Sequence, residues 1–179
     1  METESIITIL VGLTTYIGLR HLKHKNKNEK YNLTSVLSPF GHVNFVQVDD
    51  NLCRIDCYLK NVAPGLHGLH AHEYGDLTQG CASTCKHFNP DNKQHGGALG
   101  KNRHRGDFGN ILVDEYGNCN NSYFTNVNLD EIIGRGLILH ENEDDLGLGL
   151  NEESKKTGNA GKRIACGVIG ISHCPKCQT

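Results

Sequence analysis

The sequence contains no tryptophan, a single methionine and only 6% aromatic residues. Charged residues are also few, at 21%, and the formal net charge is −2, so no basic surface of the kind that binds nucleic acid is indicated. Long hydrophobic runs are lacking as well. The apolar segment 6–19 would form a helix of about 21 Å, which is shorter than the roughly 30 Å hydrocarbon core of a membrane. Glycine is abundant instead, with 21 residues, and there are 11 histidines and 8 cysteines.

The distribution of glycine favours an all-β fold. Glycine-rich turns between short segments of alternating polarity are typical of a β-sandwich or barrel, and 179 residues are enough for one domain with a full core. We predict eight strands, at residues 36–37, 43–48, 52–59, 67–74, 108–114, 122–127, 137–140 and 164–171. The segments 75–107 and 141–163 are too long for plain turns, and loops of that length are usually functional or disordered.

The first 32 residues precede the predicted domain. Residues 6–19 have the length of the hydrophobic part of a signal peptide, but Glu2 and Glu4 replace the usual positive charges and no Ala-x-Ala cleavage site follows. One interpretation is an uncleaved membrane anchor, whose basic flank at 20–30 would keep the domain in the cytosol. The other is a disordered tail or an interfacial helix. We predict a cytoplasmic protein, with membrane tethering or export through residues 6–19 as the alternative.

The most informative motif is the pair His70 and His72, which lie two residues apart in an apolar, strand-like run. Alternate residues of a strand share a face, so both imidazoles would point the same way. Imidazole suits copper and zinc, and one carboxylate among several histidines fits zinc. Further candidates follow at His87, His95, His104, Asp107 and His140. Together these residues predict a metal centre.

The candidates belong to longer motifs that resemble those of the copper/zinc superoxide dismutase family. The stretch 65–76, Gly-Leu-His-Gly-Leu-His-Ala-His-Glu-Tyr-Gly-Asp, is similar to the family's first metal-binding strand. Its zinc loop is matched by His87-Phe-Asn-Pro90, His95-Gly-Gly97 and His104-Arg-Gly-Asp107. Residues 140–145 and 158–170 resemble its last copper ligand, channel loop and final strand. The resemblance covers residues 33–172 and implies an eight-stranded Greek-key β-barrel or sandwich, immunoglobulin-like, with two long functional loops.

The resemblance implies one copper and one zinc ion per subunit. The implied copper ligands are His70, His72, His87 and His140. The implied zinc ligands are His87, His95, His104 and Asp107. The implied activity is disproportionation of superoxide to dioxygen and hydrogen peroxide, which protects against superoxide.

Other residues acquire roles from the same resemblance. His87 would bridge the two ions and pass a proton to the departing peroxide, and Arg163 would attract and orient superoxide. Asp144 would join a copper ligand to a zinc ligand without binding a metal. His67 would bond to the backbone.

The eight cysteines are spaced unlike those of a zinc finger. The resemblance pairs Cys81 with Cys166 in an intrasubunit disulfide, and we expect Cys53 and Cys57 to be buried strand residues. The tail 173–179 lies beyond the resemblance. Its cysteines could capture Cu(I), form a local disulfide or have no role. The roles of Cys85, Cys119, Cys174 and Cys177 stay open.

Partners follow from the resemblance too. Superoxide is the implied substrate, and the segments 132–134 and 170–171 resemble the family's apolar dimer contact, which predicts a homodimer. A copper chaperone is a further partner but not a strict requirement, because Lys162 and Ile164 flank Arg163 where chaperone-dependent relatives carry prolines. The alternative function is a dismutase-like binding module: a decoy, copper carrier or chaperone docking domain. All four implied copper ligands and Arg163 are present, which favours the enzyme.

Overall fold

The computed structural model describes residues 31–173. The apolar segment 6–19, Cys174 and Cys177 lie outside the described residues. The strands are β1 (Leu33–Leu37), β2 (Gly41–Asp49), β3 (Leu52–Leu59), β4 (Gly65–His72), β5 (Thr78–Cys81), β6 (Asp107–Val113), β7 (Cys119–Thr125), β8 (Gly136–His140), β9 (Arg163–Val168) and β10 (Gly170–Ile171). Helix is confined in this part of the chain to a 3₁₀ turn, Ala82–Thr84, and two single-turn helices, α1 (Leu129–Ile132) and α2 (Ser154–Thr157). No helix within residues 31–173 has the length and apolar character needed to cross a membrane.

Two antiparallel sheets form the fold. One has the strand order β10-β1-β2-β3-β7, and the other has the order β6-β4-β8-β9. The chain crosses between the sheets after β3, β6, β7 and β9, so that β7 pairs with β3 and β8 pairs with β4. This arrangement confirms the predicted all-β Greek-key fold.

The core lies between the two sheets and follows from alternation along the strands. In β3, Cys53, Ile55, Cys57 and Leu59 are all buried and alternate with residues on the other face. Phe45 of β2 and Phe108 of β6 contact each other across the core, with ring centroids 5.8 Å apart. Burial of each large apolar side chain stabilises the fold by about 1.5–3 kcal/mol. Cys53 and Cys57 are thus core residues, as expected, and burial raises the pKa of Cys53 to about 12.

The last predicted strand, 164–171, is wrong in one respect, because it is split at Ile169. Residues up to Val168 pair with β8, whereas Gly170 and Ile171 pair with β1 in the other sheet. Ile169 itself is buried, and its N–H donates to the carbonyl of Arg135 at 2.8 Å. The chain therefore changes sheets at this residue. The predicted strand 122–127 also begins earlier, at Cys119, and the short strand β5 was not predicted.

The two long loops pack on the sheet that contains β4 and β8. Ala71 of β4 donates its N–H to Gly106 O at 2.8 Å and accepts from Phe88 N at 2.9 Å, so the first loop lies against this strand. The second loop is joined to the same strand by Gly68 N and Asn142 O, 2.9 Å apart. All five residues of β8 are buried as a result. Side chains on this face are enclosed between strand and loop.

Candidate metal centre

The seven predicted metal ligands meet where the loops cover β4 and β8. His70 and His72 lie on β4, His140 ends β8 and Asp107 begins β6. The first long loop contributes the others, and all seven residues are buried. His87 and His70 belong to both of the ligand groups that the geometry defines. We call His70, His72, His87 and His140 the copper-side set, and His87, His95, His104 and Asp107 the zinc-side set.

Each strand-borne histidine of the copper-side set has one nitrogen held and one nitrogen without a partner. The held nitrogens are His70 Nε2, 2.8 Å from Asp144 Oδ2; His72 Nδ1, 2.9 Å from Cys85 O; and His140 Nδ1, 3.1 Å from Gly161 O. These acceptors fix the proton on the held nitrogen and leave a lone pair on the other. The unpartnered buried atoms are His70 Nδ1, His72 Nε2 and His140 Nε2.

Unpartnered buried polar atoms destabilise a fold unless something satisfies them. With a nitrogen of His87, these three atoms form a group whose members all lie within 4.8 Å of one another. Four imidazole nitrogens at that separation fit a metal ion that prefers nitrogen ligands, such as copper. The donor set therefore fits the group that the sequence predicted.

The zinc-side set converges on a single carboxylate oxygen. Asp107 Oδ1 lies 2.9 Å from His87 Nδ1, 3.0 Å from His95 Nδ1 and 3.1 Å from His104 Nδ1. The His95 contact is short but lacks the alignment of a hydrogen bond. Within 4.8 Å the tightest group includes His70 in place of His104. His104 nevertheless shares the same carboxylate oxygen, and three imidazoles with one carboxylate are a donor set suited to zinc.

Asp144 joins the two sets. Its Oδ2 accepts from His70 Nε2, and its Oδ1 accepts from His95 Nε2 at 2.7 Å. Gly158, at φ +68°, packs against this carboxylate so closely that a Cβ on it would lie 2.0 Å from Asp144 Oδ1. His67 is placed differently, because both its ring nitrogens lie near backbone carbonyls, those of His140 at 2.9 Å and Ala63 at 2.8 Å.

Protonation differs between the two sets. Burial, followed by repulsion from His70, lowers the pKa of His140 to about 3, and burial depresses the pKa of His72 further still. Burial also lowers the pKa of His95, but its interactions with the carboxylates of Asp107 and Asp144 outweigh burial and raise the value to about 9. For Asp107, burial raises the pKa, but hydrogen bonds from His104 and His87 and the close contact with His95 bring it well below its ordinary value.

Arg163 lies at the mouth of the copper-side set. Its guanidinium donates to Cys81 O at 2.6 Å, Cys85 O at 2.5 Å and Thr84 Oγ1 at 3.2 Å. Cys81 is bonded to Cys166 of β9, which confirms the predicted disulfide. The loop that holds the guanidinium is therefore attached to the sheet by the disulfide.

The arginine faces an open groove of about 1120 Å³ that reaches His72, His87 and His140. This volume far exceeds a small anion, so charge rather than shape must select the occupant. Charged residues lining the groove include Lys86, Lys93, Glu152, Glu153, Lys155, Lys156 and Arg163. Positive groups outnumber negative ones in this lining.

Two contributors to the site were not singled out from the sequence. Cys85 is exposed and adopts φ +66°, and its carbonyl holds both His72 and Arg163. Arg103 is buried between the zinc loop and the end of β7. Both act through backbone carbonyls, and no residue pattern in a sequence reports such contacts.

Comparison with known proteins agrees with this geometry. The family model described as copper/zinc superoxide dismutase matches residues 40–169. The chain is 45% identical over 182 residues to an extracellular superoxide dismutase [Cu-Zn] of Brugia pahangi, covering 96% of this chain and 85% of that one. The crystal structure of the clock protein EA4 is 41% identical with a TM-score of 0.77, over 81% of this chain and 97% of that one.

A second kind of relative is equally similar. The chain is 47% identical over 133 residues to the copper chaperone for superoxide dismutase of Rattus norvegicus. The match covers 74% of this chain but only 48% of the chaperone, so the chain spans about half the length of such relatives. Fold, donor sets and family match agree, and the chain belongs to the copper/zinc superoxide dismutase family.

Proposed function

We propose that the protein is an active superoxide dismutase, converting two superoxide ions and two protons into dioxygen and hydrogen peroxide. The observation that carries this proposal is the three unpartnered, buried lone pairs of His70, His72 and His140 beneath the cationic groove of Arg163. A structural metal site would need no path from solvent and no guanidinium at its mouth. Three members of the copper-side set, His72, His87 and His140, line this groove, whereas His104 is the one further zinc-side residue that does so.

The proposed cofactors are one copper ion held by the copper-side set and one zinc ion held by the zinc-side set. Copper supplies one-electron redox chemistry when bound, whereas zinc has none and serves structure. The Arg163 guanidinium attracts and orients the anion, because it is always charged and is fixed by three acceptors. His87, shared by both sets, would take up a proton from the solvent of the groove at Nε2, the ring nitrogen that Asp107 does not contact, and would pass it to the peroxide.

The decisive experiment measures metal content and dismutase activity of the full-length chain after loading with copper and zinc. We expect about one of each ion per chain and activity that requires copper. Zinc without copper, and no activity after copper loading, would overturn the proposal.

A second candidate function is copper delivery, because relatives of similar identity are named copper chaperones. In that case the chain would deliver copper to another dismutase and have little activity itself. Incubating the copper-loaded protein with a metal-free dismutase distinguishes the two. Transfer of copper, together with low activity of the donor, would favour the chaperone role.

Homodimer formation and location are further parts of the proposal. The segments 132–134 and 170–171 lie side by side, joined by Gly134 N and Ile169 O at 2.8 Å, and Ile171 is 61% exposed. This apolar edge supports a homodimer, which sedimentation at micromolar concentration tests. We keep the cytosol as the proposed compartment, with export as the alternative because one relative is named extracellular. Fractionation of cells that express the full chain tests this.

A further inference from the structure

Arg103 is a buried cation that forms no ion pair with any carboxylate of residues 31–173. The residue is only 5% exposed, whereas Arg105, two residues later, is paired with carboxylates. A buried charge destabilises a fold unless hydrogen bonds compensate for lost hydration. The contacts that compensate here show what the residue holds.

All the acceptors around Arg103 belong to two short segments. Its Nη1 donates to the carbonyls of His104 at 2.6 Å, Asp107 at 2.8 Å and Arg105 at 3.1 Å. Its Nη2 donates to Asn126 O and, at 3.4 Å, to Thr125 Oγ1. One planar guanidinium thus joins the turn 104–107 to the end of β7 in the other sheet.

We propose that Arg103 is a positioning residue for the zinc-side set, holding the turn 104–107 so that His104 and Asp107 present their donor atoms to one ion. The inference rests on the proposed metal centre. Its physical basis is that both donors belong to residues whose carbonyls Arg103 holds. Without it, three carbonyls of the turn lose this donor, of which His104 O keeps the N–H of Asp107 at 3.2 Å, and the turn rearranges to recover hydrogen bonds.

Other contacts of the turn do not replace this clamp. Asp107 Oδ2 accepts from His104 N at 2.8 Å and from Gly96 N at 3.1 Å, which orients the carboxylate within the loop. Those bonds lie within residues 96–107, and the bond from Ala71 N to Gly106 O joins the turn to β4 in the same sheet as β6. Arg103 is the contact that ties the turn to β7.

Arg105 supplies a matched control. It lies in the same turn, but its guanidinium is 39% exposed and pairs with Asp91 and Glu131 on the surface. Exposed ion pairs contribute little to stability. Arg105→Gln therefore removes an arginine from this loop without removing the clamp.

The test uses the full-length protein with zinc alone, and with cobalt(II) as a spectroscopic substitute. Arg103→Gln should weaken zinc binding by about 10- to 100-fold in competition with a chromophoric chelator, the usual effect of losing a group that orients metal ligands. It should also alter the visible spectrum of the cobalt form. Arg105→Gln should change zinc affinity by less than about twofold. Arg103→Lys keeps the charge but not the planar fork, so it should recover only part of the affinity.

Equal zinc affinity and cobalt spectra for Arg103→Gln and Arg105→Gln would overturn the proposal. So would wild-type affinity of Arg103→Lys, which would show that charge alone suffices. If Arg103→Gln does not fold, Arg103→Lys decides: a partial loss supports the clamp and no loss overturns it. A wild-type protein that binds no zinc would overturn both this inference and the zinc site. That result is distinguishable because it is seen in the wild-type protein, before any variant is measured.

Discussion

The two donor sets that share His87 are held in different ways. In the copper-side set three rings lie on strands β4 and β8, and each leaves one buried nitrogen without a partner; burial keeps His72 and His140 neutral. In the zinc-side set the donors other than His87 come from the first loop and the start of β6, and they gather around one ionised carboxylate oxygen. The copper-side set is therefore ready for an ion before it binds. The zinc-side set, by contrast, holds a proton on His95 that an ion must displace.

The largest test of this contrast removes a copper-side ligand. His72→Gln should lower copper affinity and activity by at least about 100-fold, since loss of a ligand exceeds the 10- to 100-fold effect of losing an orienting partner. Zinc content should remain, because His72 contacts no zinc-side carboxylate. Metal analysis with a dismutase assay measures both, and loss of zinc as well would show that the sets are not separable.

Arg163→Ala should reduce activity strongly while leaving metal content unchanged. The guanidinium bonds to Cys81 O, Thr84 Oγ1 and Cys85 O and to none of the proposed ligand atoms, and its proposed steering of the anion is worth about 10- to 1000-fold in association rate. The loss should shrink as salt screens the groove. Arg163→Lys is the control that keeps charge, and full activity of Arg163→Ala at low salt would remove the arginine from the mechanism.

Asp144→Asn sharpens the comparison because this carboxylate joins both sets. It should weaken zinc binding by about 10- to 100-fold. Copper binding should fall less, because His72 and His140 keep their own carbonyl acceptors. Titration of each metal separately checks the ratio. Asn110→Ala, which loses the two hydrogen bonds between this side chain and the backbone of Asp144, is the milder control.

The smallest effect is a pH dependence of the metal-free protein, with opposite signs on the two sides. His140 has a folded pKa near 3 against an ordinary 6.5, so its contribution to stability is present above pH 6.5 and is lost as pH falls towards 3. His95 has a folded pKa near 9, so its contribution is present below pH 6.5 and is lost as pH rises through 9. A change of one in a pKa corresponds to about 1.4 kcal/mol.

Denaturant unfolding of the metal-free protein, repeated from acid to alkaline pH, measures how the free energy of unfolding falls at each end, which we call the acid limb and the alkaline limb. His140→Asn should flatten the acid limb, and His95→Asn should flatten the alkaline one. If either substitution flattened the opposite limb, the assignment of the titrating groups would be wrong.

Features of the strands could be predicted from the sequence, whereas the contacts of the loops could not. Strand β3 was predicted with its observed bounds, because alternation of Cys53, Ile55, Cys57 and Leu59 reports one buried face. His70 and His72 were placed on one strand by the same rule. The change of sheets at Ile169 could not be predicted, because an apolar residue is compatible with a strand of either sheet. The hydrogen bonds of Arg103 and of the Cys85 carbonyl could not be predicted either, since hydrogen bonds to the backbone depend on the path of the loop and not on residue identity.

One consequence concerns tolerance to inherited change. Gly158 has no side chain that could bind a metal or substrate. Its backbone has φ +68°, and a methyl group at this position would clash with both Asp144 and His95 Nε2. Gly158→Ala would therefore disturb the carboxylate on which both metal sets depend. In a scan of all single substitutions, we expect Gly158 to be as intolerant as the histidines, and a residue without a functional group would rank among the most constrained in the chain.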